Sequence, residues 1–247
     1  MKVAGHGLLI LALTILTQIG GLAWALALPF RNRLPIFLLA YAALTLAVHQ
    51  LAPLISGRQA IPCFVNGPLQ LQSPLYCLLN RNYAKPALIG VARDLAMHMN
   101  EAYPGTVTQV LDANFPFFDG FPLLPHLSHK DGAKLDLAFW YDNGTRYQLG
   151  LTRSPLGYFA FEPGPTACLH AFPTLRWDLD WLQPLFPKYP LDGPRMRSAL
   201  SWLAQDRRVG RVFLEPHLRE SLGAQGANFG FQGCRAARHD DHIHIQL

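Results

Sequence analysis

The sequence predicts an α+β domain carried behind two transmembrane helices, and three observations lead there. Two long stretches without a charged side chain, Gly7 to Phe30 and Leu34 to Gly57, open the chain. Beyond them, short strand-like runs are interspersed with separate segments of helical period, the mixture that α+β domains show. The chain closes on Asp240-Asp241-His242-Ile243-His244-Ile245-Gln246-Leu247, where apolar and polar residues alternate as in a strand with one buried face.

Each of the two apolar stretches is long enough to span a bilayer as a helix. Arg31-Asn32-Arg33 lies between them, and the positive-inside rule places that short basic loop in the cytoplasm. Residues 1–57 are therefore expected to form a transmembrane hairpin, with the N-terminus and everything after Arg58 outside. Lys2 opposes this with one positive charge against two. A signal peptide starting at Lys2 is the other reading of the first stretch, although its apolar run is long for one and a second span follows at once.

Residues 58–85 contain Pro62, Gly67, Pro68 and Pro74 and read as an irregular linker or collar. The four cysteines, Cys63, Cys77, Cys168 and Cys234, all follow the second apolar stretch, and none forms a CxxC pair. An even number in a domain outside the cytoplasm suggests disulfides. Three connectivities are open. Cys63–Cys77, close in the chain, and Cys168–Cys234, a staple ahead of the last strand, are favoured over buried thiols.

From residue 86 onward lies the main domain. Leu88, Val91, Leu95 and Met99 mark an amphipathic helix over 86–103. A short strand at 107–111 follows, then an aromatic, proline-rich loop over 113–125. Strands at 135–141 and 147–151 flank Asp142-Asn143-Gly144-Thr145, a hairpin signal; the sequon within it is read as turn alone. Residues 153–174, rich in Pro and Gly, read as an insertion. Helices are expected at 177–183 and 192–205, the latter with Met196, Leu200 and Leu203 inward. A strand at 209–214, a helix at 216–222 and the final strand complete the order.

In that final strand, Asp240, His242 and His244 are expected on one face, with Ile243, Ile245 and Leu247 on the other. An imidazole face of this kind suits a divalent metal. The remaining ligands are expected from 126–137, where His129 and Asp136 bracket a turn at Asp131-Gly132. Two imidazoles and one carboxylate leave a fourth position open, the donor set of a catalytic rather than a structural zinc site. Ser128 is expected to bond locally, and His170 and His217 read as structural. The formal charge of +5 suits an anionic polymer. The basic residues are scattered, with no basic helix and no Gly-aromatic RNA motif, which argues against nucleic acid.

Two segments together carry a resemblance. Pro125-His126-Leu127-Ser128-His129-Lys130-Asp131-Gly132-Ala133-Lys134-Leu135-Asp136 is similar to the pattern G-H-x-S-H-x-x-G-x-D-V-D. The run Phe231-Gln232-Gly233-Cys234-Arg235-Ala236-Ala237-Arg238-His239-Asp240-Asp241-His242-Ile243-His244 is similar to F-Q-A-C-R-x-H-D-D-H-x-H-V. Both belong to the penicillin-insensitive murein endopeptidases, within the zinc peptidases related to lysostaphin, D-Ala-D-Ala carboxypeptidases and the hedgehog domain. The likeness runs from about Ala87 onward. Lys134 replaces an acidic residue, Pro125 a glycine, and two extra residues separate Arg235 from His239.

The resemblance implies a small antiparallel sheet with flanking helices over 86–247, and His129, Asp136 and His244 as Zn2+ ligands. It makes His242 catalytic and places His239 in the active site as well. His126 matches a further active-site histidine and is expected at the substrate or behind the ligands, with Asp240 and Asp241 orienting imidazoles. It implies hydrolysis of D-alanyl amide cross-links in peptidoglycan by a domain facing the periplasm from a bacterial inner membrane. The alternatives are a D-alanyl carboxypeptidase and a non-catalytic zinc domain that binds cell-wall peptides.

Overall fold

The computed structural model describes residues 2–165, 168 and 173–247. The apolar front forms three helices, not two: α1 (Lys2–Thr17), α2 (Gly20–Ala27) and α3 (Arg33–Ile55). The expected first span is broken at Gln18, whose φ of 67° reverses the chain. The Gln18 side chain stabilises the break by bonding Phe117 twice: its Nε2 donates to the carbonyl and its Oε1 accepts from the N–H, both at 2.8 Å. Glycine then lets α2 return against α1. A Cβ on Gly21 would lie 1.9 Å from Thr14 Oγ1 and 2.6 Å from the Ile10 carbonyl oxygen.

This reversal changes the expected topology. His6 on α1 meets Trp24 on α2, and Trp24 meets Phe37 near the start of α3. Ile19, at the reversal, packs with Val48 and Ala52 towards the end of α3. The start of α1 therefore lies towards the end of the bundle that carries Arg31 and Arg33, away from the domain, where the expected topology had the chain begin on the domain's side. Among the described residues, α3 is the one helix long and apolar enough to cross a membrane. Its 23 residues span about 34 Å at 1.5 Å per residue, against a hydrocarbon core of about 30 Å.

The domain is built on a six-stranded sheet in the order β2 (Leu69–Leu71), β4 (Thr108–Val110), β5 (Lys134–Ala138), β8 (His242–Gln246), β6 (Arg211–Phe213), β7 (Phe229–Gly230). The central pairs β4–β5, β5–β8 and β8–β6 are antiparallel. The outer pairs β2–β4 and β6–β7 are parallel, so the sheet is mixed where a purely antiparallel one was expected. A separate two-stranded ribbon joins β1 (Gln59–Ala60) to β3 (Tyr83–Ala84). Residues 58–85 thus do more than link. They supply β1–β3 and the short helix α4 (Pro74–Leu78), and Leu71 and Tyr76 enter the core.

One face of the sheet carries Leu135, Leu137, Val212, Ile243 and Ile245, all buried. Helices α5 (Pro86–Ala102) and α6 (Gly193–Gln205) contribute to the same core with Leu88, Val91, Leu95 and Met99 from one and Met196, Leu200 and Leu203 from the other. Each large apolar side chain so buried stabilises the fold by about 1.5–3 kcal/mol before the entropy of ordering it. Proline opens both helices, and Asp192 caps α6 by accepting from the Arg195 N–H at 3.0 Å. The short helix α7 (Pro216–Ser221) follows β6.

Two expected elements are absent. The strand at 147–151 shrinks to an isolated bridge between Asp142 and Tyr147, because the Tyr147 ring lies under the Arg195 guanidinium at 4.1 Å and its hydroxyl accepts from the Val107 N–H. The helix at 177–183 is replaced by a single 3-10 turn at Gln183–Leu185. Gln183 is drawn instead into bonds with Phe159 and Phe161. Both disulfides, Cys63–Cys77 and Cys168–Cys234, are formed as expected. His170 lies outside the described residues.

Candidate metal centre

Antiparallel pairing of β5 with β8 sets Asp136 directly opposite His244. Partners opposite one another share a face, so the carboxylate and the imidazole project together away from the helices. Asp136 Oδ1 and His244 Nδ1 lie 2.9 Å apart. His129 arrives from the loop before β5. That loop turns at Gly132, whose φ of 76° and proximity to the Arg58 side chain leave no room for a Cβ. His129 Nδ1 donates to the Ala113 carbonyl at 2.6 Å, which leaves Nε2 as the free donor atom. That Nε2 sits 3.2 Å from Asp136 Oδ1 and 3.1 Å from His244 Nδ1.

These three separations fit a cation. Ligands about 2.0–2.2 Å from a tetrahedral zinc stand roughly 3.3–3.6 Å from one another, close to the edges seen here. His129, Asp136 and His244 are all buried. Two further groups, His126–Asp136–His242 and His239–His242–His244, also gather donor atoms within 4.8 Å. They share residues with the first. In the former, His126 Nδ1 is already engaged by Asp112 Oδ2 at 3.1 Å and stands 3.3 Å from Asp136 Oδ2. The first group is the most compact, and the identity of the ion it would hold is open.

His242 lies one pair along the same strand face. Its Nδ1 is held by Asp241 Oδ1 at 2.5 Å. Its Nε2 is buried without a partner, 3.6 Å from Asp136 Oδ1. The two acidic neighbours expected to orient imidazoles divide their work. Asp241 does so, but Asp240 precedes the strand and is taken by Arg238, which also binds Asp178. His239 packs among the rings of Phe213, His242 and His244 in tilted and edge-on contacts, and its backbone N–H donates to Glu215.

The electrostatics follow from burial among mixed charges. Burial opposes ionisation of Asp136, but attraction to His129, His242 and His126 outweighs it and holds the carboxyl well below its usual range. Burial alone would depress His242; Asp136 and Asp241 instead push it up to about 9. Burial pushes His244 down to about 4 despite its bond to Asp136. His239 is held well below its ordinary value by burial and then by His242 and His244. Burial also lowers His126, against the pull of Asp136 and Asp112. Asp240 is pushed up to about 6 by burial, against Arg238.

Tyr158 belongs to this centre and nothing in the sequence marked it. It comes from the Pro- and Gly-rich insertion. Its hydroxyl donates to Asp136 Oδ2 at 2.7 Å and accepts from the Asp112 N–H at 3.0 Å. That bond occupies one carboxylate oxygen and leaves Oδ1 for the donor cluster. Asp112, the next residue missed, holds His126 and is itself gripped by both arms of Arg81. Their only sequence signal is a buried-type acid near a strand end, which is common.

Access is narrow. A recess of about 20 Å³ reaches His126 and His242 between Tyr158, Phe161 and Trp177, room for about one water. Beside it, sharing Phe161 and Arg238, runs a groove of about 660 Å³ with Lys188 and Tyr189 in its wall. No protein-family model matches the chain, and no curated protein matches it in sequence.

Proposed function

We propose that this chain is a membrane-anchored, zinc-dependent hydrolase of peptidoglycan that cleaves D-alanyl amide cross-links. The observation that carries the reading is the compact set of His129 Nε2, Asp136 Oδ1 and His244 Nδ1, with the unpartnered Nε2 of His242 beside it. These residues fall in the two motifs similar to the penicillin-insensitive murein endopeptidases. The span at α3, the disulfides and the basic residues Arg31 and Arg33 at the end away from the domain support a bacterial inner-membrane anchor with the domain in the periplasm.

Bound at that set, zinc would polarise the scissile carbonyl as a Lewis acid. Asp241 holds His242 Nδ1 and directs Nε2 at the site. Pushed up to about 9, the ring is an imidazolium at neutral pH in the metal-free protein, suited to stabilising a developing oxyanion. A bound cation that repels that proton would leave Nε2 to accept one from water and pass it to the leaving amine. Tyr158 keeps Asp136 turned with Oδ1 inward. Asp112 does the same for His126, which walls the recess. Lys188, in the wall of the adjoining groove, is placed to meet a free carboxylate of a stem peptide.

The test is mass spectrometry of cross-linked muropeptides incubated with the full chain in detergent, zinc-loaded or chelated, with His244→Ala as control. Zinc-dependent conversion of dimers to monomers is expected. Loss of a terminal alanine alone would redirect the reading to a carboxypeptidase. The closed recess favours a second reading, a non-catalytic zinc domain that binds wall peptides. Stoichiometric zinc with no cleavage of any muropeptide would establish that one instead.

A further inference from the structure

The collar formed by residues 59–80 carries no Asp, Glu, Lys, Arg or His, although it lies outside the apolar helices. It exposes large apolar side chains: Phe64 at 85 %, Leu78 at 60 % and Val65 besides. The Cys63–Cys77 disulfide brings the two ends of this surface together, with Phe64 next to one cysteine and Leu78 next to the other. A folded domain does not leave such side chains grouped in water without a reason, and grouped exposure of this kind marks a binding surface.

What covers it is indicated by where it sits. The Tyr41 hydroxyl, on α3, donates to the Leu78 carbonyl at 2.5 Å and accepts from Asn80 Nδ2 at 2.9 Å. Tyr41 lies in the first half of α3, well short of its domain end at Ile55. The collar therefore hangs down alongside the span instead of resting on its end. At a second contact Gln18 bonds Phe117, and the adjoining Phe118 is 69 % exposed. Outward-facing residues of α3, such as Leu46, are exposed in the same way. Any bilayer that covers them reaches the level of Leu78.

We infer that the collar is a membrane-seated element, with Phe64, Val65 and Leu78 against the acyl chains of a phospholipid bilayer alongside α3. This rests on reading α3 as a membrane span. It fixes the height and tilt of the domain over the membrane, because a rigid disulfide-closed loop is held by the bilayer at one place and by α3 at another. Large apolar side chains in a stretch without charge are the composition that favours contact with acyl chains over water.

The test uses the full chain in phosphatidylethanolamine–phosphatidylglycerol nanodiscs, with nitroxide labels on Phe64→Cys, Val65→Cys and Leu78→Cys. Leu46→Cys on the span and Gln225→Cys on an exposed loop of the domain serve as references, and both native disulfides are verified by peptide mapping. Collision with oxygen against a water-soluble nickel complex is read by power saturation. Expected is a several-fold preference for oxygen at 64, 65 and 78 relative to 225. Water-like labels at 64, 65 and 78 with a lipid-exposed label at 46 would overturn the collar and leave the anchor standing. A water-like label at 46 would remove the anchor and the collar with it. Labels at 64 and 78 shielded from both reagents would show a protein partner instead and also overturn the proposal.

Discussion

His242 illustrates how one residue's surroundings set its chemistry. The strand face points it at Asp136 and the preceding residue supplies Asp241, so the buried ring is protonated more readily than an exposed one. Its folded-state value of about 9 lies above the ordinary 6.5. The imidazolium therefore contributes stability that is fully present below about pH 6.5 and is lost as the pH rises through about 9. The metal-free protein is expected to melt at progressively lower temperature across that window. His242→Asn should flatten the dependence, and so should a bound cation, which repels the proton. Melting curves of chelated and zinc-loaded protein from pH 6 to 10 check this; an unchanged slope in His242→Asn would refute it. Tyr158 acts one step further out. Removing its hydroxyl in Tyr158→Phe frees Asp136 Oδ2 to rotate, and metal affinity should drop about 10- to 100-fold. Competition titration against a chromophoric chelator measures that drop, and unchanged affinity would make Tyr158 a packing residue only.

At the scale of elements, the buried-face periodicities were legible and the pairings largely were not. The spacing of Leu88, Val91, Leu95 and Met99 places a helix where α5 stands, and the alternation at the C-terminus places β8. The expected 147–151 strand and 177–183 helix fail because partners distant in sequence, Arg195 for Tyr147 and Phe159 for Gln183, outbid weak local preferences. Leu95, fully buried on α5, should cost about 2–5 kcal/mol when cut to Ala, measured by denaturant unfolding. The disulfides offer a ranking. Cys168–Cys234 closes 66 residues and Cys63–Cys77 closes 14. By loop entropy the first should be worth about 4 kcal/mol and the second about 3. Paired Cys→Ser variants compared in guanidinium test the order, and a larger loss from the shorter loop would show that native contacts, not chain entropy, dominate.

The whole molecule brings its charged and apolar parts to separate places. Each of the three donor groups contains two of Asp136, His242 and His244, so two cations would share a ligand and sit within a few ångströms of each other in a poorly screening interior. One metal ion per chain is expected by elemental analysis of the purified full-length protein, and two would call for a different ligand assignment. The disulfide-closed collar, the span and the reversal at Gln18 meet on one side, while the donor cluster opens towards the groove with Lys188. Recess and groove together set what can reach the site.

Local pattern determined much of this by itself: the two apolar stretches, the imidazole face of the last strand, and the choice of His129, Asp136 and His244 as residues to bring together. Those depend on period, spacing and chemical type, which neighbours in the chain define. The cysteine pairing was one favoured connectivity of three until the fold showed it. Only the tertiary structure decided that the first apolar stretch folds back on itself, since the break is held by a bond from Gln18 to Phe117, ninety-nine residues away. Only it decided that Asp241 and not Asp240 holds His242, because Arg238 claims Asp240. The role of Tyr158 arises in the same way, from an insertion whose composition signals irregularity and whose position is set by what it packs against.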